Sequence, residues 1–149
     1  MFFLEPEVPD SSPDLVYSAS DLVVAASCEY QLLRKLDEKL GRCPKAVFDE
    51  DEMLQHAAVL GDLHERKVLN GFVAEFGPWD PDTGHGVYDV ATAVTMDRAT
   101  LAAKHAESIG ALRAGADVVF QAAFFDGQFH GRSDFLVRQA DGSYAVFDT

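Results

Sequence analysis

Two aspartates, Asp134 and Asp148, are the residues whose types and positions most directly indicate chemistry. Each lies in or at the end of a segment rich in β-branched and aromatic residues, where aspartate is uncommon and a buried, unpaired carboxylate is costly. If residues 140–142 form a three-residue loop with Gly142 in the left-handed conformation, the two aspartates stand directly opposite each other on neighbouring strands. Opposed side chains share a face, with Cβ atoms about 4.5–5.5 Å apart. Two carboxylates at that distance repel each other unless a cation lies between them, so this register predicts a divalent metal site.

Two other interpretations of these aspartates remain open at this point. Asp134 lies on the same face of its strand as Arg132 and Arg138, and an ion pair with either arginine would balance its charge without a metal. A two-residue turn at Asp141-Gly142 would shift the register by one residue and place the aspartates on opposite faces of the sheet. Spacing alone does not decide between these arrangements.

His64 is the third candidate metal ligand. A helical pattern places Ala57, Leu60, Gly61 and Val68 on its face, which is small and apolar. Because glycine costs about 1 kcal/mol relative to alanine inside a helix, Gly61 suggests that another element packs closely beside His64. A lone histidine on such a face is more often a hydrogen-bonded core residue than a ligand. The other histidines are weaker candidates: His56, His85, His105 and His130.

Hydrophobic periodicity predicts the elements that carry these residues. Helical spacing extends over about residues 20–40, 49–76 and 95–113, with Ser20 and Thr95 as expected helix caps. Three β-rich segments follow at 118–125, 129–137 and 144–147, separated by Asp-Gly pairs that are typical of hairpins. This order predicts an α+β or α/β fold in which a helical amino-terminal half packs on an antiparallel three-stranded meander.

Residues 1–17 are expected to lie outside this fold as a flexible, acidic lead-in. The segment holds Pro6, Pro9 and Pro13 among repeated acids, and proline removes a backbone donor, so neither a helix nor a ladder is expected. We therefore expect one domain over residues 18–149. Its last strand stops at Thr149 without a turn or a polar tail, which suggests a domain that is truncated at the C terminus.

The composition is that of a globular chain with a strongly acidic balance. Its 149 residues carry 25 acidic and 12 basic side chains, for a net charge of -13. That balance argues against nucleic acid as a ligand, because phosphate binding depends on lysine and arginine. Basic surface on another domain would remove this objection. No apolar run approaches the roughly 20 residues of a membrane helix, and no secretory signal begins the chain. We expect a cytoplasmic protein with no membrane partner.

Three segments, read in order, resemble a known family. GDLHERKVL, GRSDFLV and YAVFDT are similar to the motifs of the RecB-like branch of the PD-(D/E)xK nuclease superfamily, and SASDLVVAASCEYQLLRKLDEKLG resembles its amino-terminal helices. The resemblance covers the chain from about Ser18 and implies a restriction-endonuclease-like core. It implies His64, Asp134 and Asp148 as ligands of Mg²⁺ or Mn²⁺, with both aspartates catalytic. The peptide carbonyl of Thr149 is expected as a further ligand, because backbone oxygens also suit this metal.

The activity that the resemblance implies is metal-dependent hydrolysis of phosphodiester bonds in DNA, at single-stranded ends. Its expected partner is a helicase domain, in the same chain or in another. In that family a lysine follows the third-motif acid by two residues and orients or activates the attacking water. The sequence stops at Thr149, so this lysine is missing, and we expect the chain itself to be catalytically incomplete.

Cys28 matches the position of the first ligand of a four-iron–four-sulfur cluster in some RecB-like nucleases. Partner ligands are lacking here and Cys43 is poorly placed, so a cluster is expected only in a longer parent protein. Within these residues we expect a buried thiol that acts as a small hydrophobe. Two non-enzymatic functions also remain open: a degenerate nuclease fold that acts as a docking or DNA-end-binding module, and an acidic regulatory module without metal.

Overall fold

A computed structural model describes residues 1–5, 13–46, 52–90 and 95–149 of the chain. The strands within these residues are β1 (Phe2–Leu4), β2 (Asp14–Ser18), β3 (Val87–Asp89), β4 (Val118–Phe125), β5 (Phe129–Arg138) and β6 (Tyr144–Phe147). The helices are α1 (Ala19–Ser27), α2 (Glu29–Lys39), α3 (Glu52–Phe76) and α4 (Arg98–Ala114). Of the helices described, none combines the length and the apolar composition needed to cross a lipid bilayer.

The six strands form one mixed sheet in the order β1-β2-β5-β4-β3, and β6 joins it beside β5. β4 pairs antiparallel with one edge of β5, while β2 and β6 share the other edge. The β2–β5 and β3–β4 pairs are parallel. The predicted mixture of helices and strands and the β4–β5–β6 meander are therefore confirmed. The sheet is larger than the predicted three-stranded meander, because β1, β2 and β3 extend it.

The prediction that residues 1–17 form no ladder is also wrong. β1 and β2 pair antiparallel, with Phe2 opposite Val16, and Val16 is fully buried in an apolar cluster with Leu101 of α4. Pro13 directly precedes β2, a position where its missing amide donor interrupts no ladder. Pro6 and Pro9 lie outside the described residues. Burial of the apolar residues in these two short strands outweighs the local preference of a proline-rich segment.

Apolar clusters hold α3 and α4 against the sheet. α4 contributes Leu101 and Ala111, both buried. The second half of α3 contributes Val68, Leu69 and Phe72, which pack on the cluster that contains the buried Phe135. The first half of α3 exposes large apolar side chains instead: Met53, Leu54, Val59, Leu60 and Leu63. α3 is therefore attached to the sheet through only part of its length.

The helices begin and divide differently from the predictions. Ser18, rather than Ser20, caps α1: its amide and hydroxyl donate to the Asp21 carboxylate at 2.9 and 2.6 Å. The same carboxylate pairs with the Met1 ammonium group. The single helix predicted over residues 20–40 is divided at Cys28, whose φ of -161° and ψ of 101° are extended. Asp97, rather than Thr95, caps α4.

A glycine turn leads into β3. Gly86 has a φ of 101°, and a Cβ atom there would lie 2.3 Å from the Pro78 carbonyl oxygen, so only glycine fits. The Asp117 carboxylate accepts a hydrogen bond from the Gly86 amide at 2.8 Å and lies 3.2 Å from Nδ1 of His85. These contacts tie the start of β3 to the start of β4, beside which it runs parallel.

Candidate functional site

The loop between β5 and β6 has the predicted three-residue form. The Gln139 amide donates to the Ser143 carbonyl at 2.7 Å, and the Gly142 amide donates to the Gln139 carbonyl at 2.9 Å. Gly142 has a φ of 84°, a left-handed value that residues with a side chain rarely adopt. The two-residue turn, which would have placed the aspartates on opposite faces, is therefore wrong.

Asp134 and Asp148 are opposed in this register. The last pair of the ladder is Phe135↔Phe147, and the next residue on each strand is an aspartate. The chain stays beside β5 after that pair, because the amide and hydroxyl of Thr149 donate to Oδ2 of Asp134 at 3.3 and 3.2 Å. Asp134 is half-buried, whereas Asp148 and Thr149 are exposed. Two carboxylates thus share one end of the hairpin, open to solvent.

Neither arginine that could balance the charge of Asp134 does so. Arg132 donates to the side-chain oxygen of Gln121, and Nη1 of Arg138 lies 3.4 Å from the Gly115 carbonyl. No cationic side chain within the described ranges forms an ion pair with Asp134 or Asp148. The alternative in which arginines neutralise Asp134 is wrong, and the two aspartates have no cationic partner among the residues that the structure describes.

Gln121 of β4 extends the row of polar residues on the other side of Asp134. Because Phe120 pairs with Phe135, the residue opposite Asp134 in the same register is Gln121. Its φ is 55°, and it is the one residue other than glycine with a positive φ in the part of the chain that the structure describes. A left-handed conformation costs a side-chain-bearing residue about 1–2 kcal/mol, and strain of this kind is concentrated at functional sites.

The Gln121 side chain also joins the sheet to α3. Its nitrogen donates to Glu65, while its oxygen accepts from Arg132. Glu65 follows His64 directly. α3 therefore contacts Gln121 through the residue that follows His64, the histidine that the resemblance implies as a ligand.

His64 itself is exposed. Successive residues on a helix point in directions that differ by about 100°, so the Glu65 contact does not bring the imidazole to the aspartates. Apart from its chain neighbours and the backbone of its own helix, no described heavy atom lies within 4 Å of a Cβ atom built on Gly61, so the expectation of another element packed closely beside His64 is wrong. Across residues 1–5, 13–46, 52–90 and 95–149, no three His, Cys, Asp or Glu side chains are grouped as a metal site. The fold places the two aspartates opposite each other and leaves the histidine outside their group.

Cys28 does not have the buried environment that was expected. It is exposed at the junction of α1 and α2, so the interpretation as a small core hydrophobe is wrong. Cys43 is partly buried, with its Sγ 3.9 Å from the Arg34 carbonyl, and both cysteines are free thiols. The role of Cys28 as an iron–sulfur ligand stays a prediction from the resemblance alone.

Two of the other histidines, His105 and His130, make contacts within the fold. Nδ1 of His105 accepts a hydrogen bond from the Phe125 amide at 3.3 Å. Burial lowers the pKa of His130, whose ring meets that of Phe2 edge to face at 6.3 Å. Neither contact places these rings at the aspartate pair.

Gln121 and Glu65 were not singled out from the sequence, and Arg132 was considered only as an ion-pair partner of Asp134. One indication was present: Gln121 is the one polar residue in the strand VVFQAAFF, and a polar side chain inside an apolar strand requires a partner. Its left-handed backbone has no sequence signature, since glutamine is not a residue that prefers this conformation. The contact with Glu65 depends on how α3 lies on the sheet, which periodicity does not specify.

Comparison of the chain with protein-family models, with characterised proteins and with solved structures gave no match. The class that the structure defines is a mixed α+β domain with four described helices and a six-stranded mixed sheet.

Proposed function

We propose that this chain is a metal-dependent nuclease domain with a restriction-endonuclease-like core, acting on DNA, with single-stranded ends as its substrate, as part of a larger nuclease–helicase. Asp134 and Asp148 would hold Mg²⁺ or Mn²⁺ in this domain. The observation that carries the proposal is the pair of opposed carboxylates at the end of the β5–β6 ladder, with no cationic partner among the described residues. The resemblance of three segments to RecB-like nuclease motifs supplies the reaction class.

The donors at this position suit a hard divalent cation. Both are carboxylates, and Mg²⁺ and Mn²⁺ prefer oxygen ligands. The two hydrogen bonds from Thr149 go to Oδ2 of Asp134, which leaves Oδ1 without a donor from any described residue. A bound cation would also remove the repulsion between the two charges. When bound, the metal polarises the phosphoryl group and lowers the pKa of a water molecule.

The residues of the chain have separate roles in this proposal. Asp134 and Asp148 bind the cation from two strands, and Thr149 fixes the orientation of the Asp134 carboxylate through its amide and hydroxyl. His64 enters as a third ligand only through the resemblance. No described side chain is assigned to activate the attacking water, so in this proposal the bound metal would supply that activation.

Titration calorimetry with Mn²⁺ tests the metal site on the chain as it is. We expect weak binding, with a Kd of about 0.1–1 mM, as for sites with few protein ligands. Asp134→Asn and Asp148→Asn should each weaken binding roughly tenfold or more, because each removes one of the two charged ligands. Asparagine preserves the acceptor that Thr149 uses, so the hairpin should keep its fold.

Asp82→Asn is the matched control for this titration, since Asp82 is an exposed acid in the turn before β3 and its replacement removes the same charge. It should leave the Kd unchanged. Equal weakening by all three variants would mean that Mn²⁺ responds only to net charge. Mn²⁺ binding that survives Asp134→Asn would overturn the proposal. His64→Gln then tests the third ligand: an unchanged Kd removes His64 from the set and leaves the aspartate pair.

A non-catalytic docking or DNA-end-binding module is the second candidate function. The exposed apolar residues in the first half of α3 favour it, because neighbouring apolar side chains on a surface indicate an interaction site. This module needs no metal. A chain that neither binds Mn²⁺ nor cleaves single-stranded DNA would support it over the nuclease.

A further inference from the structure

Basic residues in this acidic chain are concentrated in one short segment. Residues 34–45 hold five of the 12 lysines and arginines and only two of the 25 acids. The other 137 residues therefore carry seven basic and 23 acidic side chains. The second half of α2 and the segment as far as Lys45 thus form a locally positive region on a protein whose net charge is -13.

The cations in this region line a concave site. A cavity of about 290 Å³ is lined by Gln31, Arg34, Lys35 and Glu38 of α2 and by Lys45 and Ala46 of the returning chain. The four α2 residues are three to four positions apart, so they share one face of the helix. We call this cavity the α2 groove. The α2 groove combines two cations of α2 with one from the segment that follows it. A helix face exposed to solvent would present cations from that helix alone.

The charges in the α2 groove are not balanced internally. Glu38, the one acid in its lining, accepts a hydrogen bond from the Ala46 amide at 3.3 Å. Arg34, Lys35 and Lys45 form no ion pair with any residue that the structure describes. By contrast Arg42, outside the groove, lies 3.5 Å from Asp37. Three cations therefore converge with one acid among them, which is the charge pattern of a site for anions.

An exposed aromatic residue adjoins these cations. Tyr30 is 70% exposed and lies four residues before Arg34, on the same side of α2. Single-stranded nucleic acids bind proteins through cations along the phosphate backbone and through aromatic rings on which bases stack. Tyr30 beside Arg34 supplies both elements within one turn of helix.

We propose that the α2 groove binds the phosphodiester backbone of a single-stranded nucleic acid, with Arg34, Lys35 and Lys45 contacting phosphates and Tyr30 stacking on a base. This assignment deepens the proposed nuclease function by giving the substrate strand a binding surface away from the aspartates. The groove lacks the glycine-rich, helix-terminal amides of a closed phosphate site, so the ligand is a strand and not a free phosphate. Repulsion from the acidic remainder of the chain makes binding weak, and the counterions released at the phosphate contacts make it salt-dependent.

Fluorescence anisotropy with a labelled oligothymidylate of about 20 nucleotides tests this proposal. The titrations are made at several salt concentrations, with EDTA present to remove divalent ions. Three phosphate contacts to a single strand predict a slope of log K against log salt of about -2. The double variant Arg34→Gln/Lys35→Gln should reduce the slope to about -0.7 and weaken binding roughly tenfold at low salt. Tyr30→Ala should weaken binding about fivefold or more while leaving the slope unchanged, because stacking releases no counterions.

The matched control is Lys39→Gln/Arg42→Gln, which removes the same charge from the same segment outside the groove. It should keep both the slope and the affinity close to those of the unaltered chain. Equal losses in the two double variants would show attraction to net charge alone and would overturn the assignment. So would displacement of the oligothymidylate by inorganic phosphate at constant ionic strength, which would indicate a site for a small anion.

The proposals for the α2 groove and for the metal site are tested by separate experiments, so one can be overturned without the other. EDTA removes divalent ions, so oligothymidylate binding under these conditions reports only the groove, whereas the Mn²⁺ titration contains no nucleic acid. If the chain binds oligothymidylate in EDTA but does not bind Mn²⁺, the proposed catalysis is overturned and the nucleic-acid site in the α2 groove is supported. The reverse result overturns the groove and keeps the metal pair.

Discussion

Two regions of the molecule differ in how deeply their side chains are buried: the sheet together with α4, and the helix α2. The largest fully buried side chains belong to strands, to α4 or to the segment after β3: Phe135, Leu101, Val16, Val90, Val118, Val119 and Ser108. α2 contains no buried residue, although its sequence is clearly amphipathic. Asp134 is therefore attached to the well-packed part of the fold through β5, whereas Asp148 follows β6, which has no buried residue. Two of the three cations of the α2 groove, Arg34 and Lys35, lie on a helix without buried residues, so β5 and α2 should respond very differently to substitution.

Phe135→Ala should have the largest effect on stability. The ring is fully buried and lies 5.0 Å from Phe120 and 5.3 Å from Phe72, between centroids. Its removal leaves a cavity where α3 packs on the sheet, and we expect a loss of about 3–5 kcal/mol in the free energy of unfolding. Urea denaturation measures this loss, with Val23→Ala at an exposed position of α1 as the control. A loss below about 1 kcal/mol would mean that Phe135 does not organise the core.

Asp21→Asn should have the next largest effect, and its effect should depend on pH. Burial alone raises the pKa of Asp21, but hydrogen bonds from the Met1 ammonium group and from Ser18 outweigh it and lower the pKa from 3.8 to about 2. The ionised form therefore stabilises the fold by about 2 kcal/mol above pH 4, and this contribution is lost as the pH falls from 3.8 towards 2. The unaltered chain and the variant should differ by that amount at pH 7 and converge near pH 2.

Asp62→Asn controls for the charge removed from Asp21, since Asp62 is exposed on α3. Chemical denaturation at pH 7, 4 and 2 separates the two variants. A loss for Asp21→Asn that stays constant over this range would show that the ion pair with Met1 is not its cause.

From the sequence, a two-residue turn and a three-residue loop were both possible between β5 and β6, and the three-residue loop that forms allows one register. Asp134 opposite Asp148 follows from that register. What could not be predicted depends on contacts between distant segments. β1 and β2 form strands because the sheet has an edge for them beside β5, and the position of His64 depends on which part of α3 meets the sheet. Neither depends on local periodicity.

Substitution of Gln121 tests whether its left-handed backbone is strained. Valine disfavours a positive φ strongly, so Gln121→Val should cost about 1–3 kcal/mol. Gln121→Gly should change stability by less than about 1 kcal/mol, because glycine relieves the strain but loses the contacts with Glu65 and Arg132. Thermal unfolding of both variants compares them. A valine variant as stable as the glycine variant would show that the backbone at position 121 is ordinary extended strand in solution.

Leu33→Gln should have the smallest effect and tests the other side of the comparison. Leu33 is 58% exposed on α2, and leucine and glutamine have similar helix propensities, so stability should change by less than about 0.5 kcal/mol. The same substitution at Leu101, which is buried in α4, should prevent folding or cost several kcal/mol. A loss above about 1 kcal/mol at Leu33 would show that α2 packs against another surface in solution. If α2 tolerates the change as expected, weaker binding of oligothymidylate by the Arg34→Gln/Lys35→Gln variant reflects lost phosphate contacts and not unfolding of the helix.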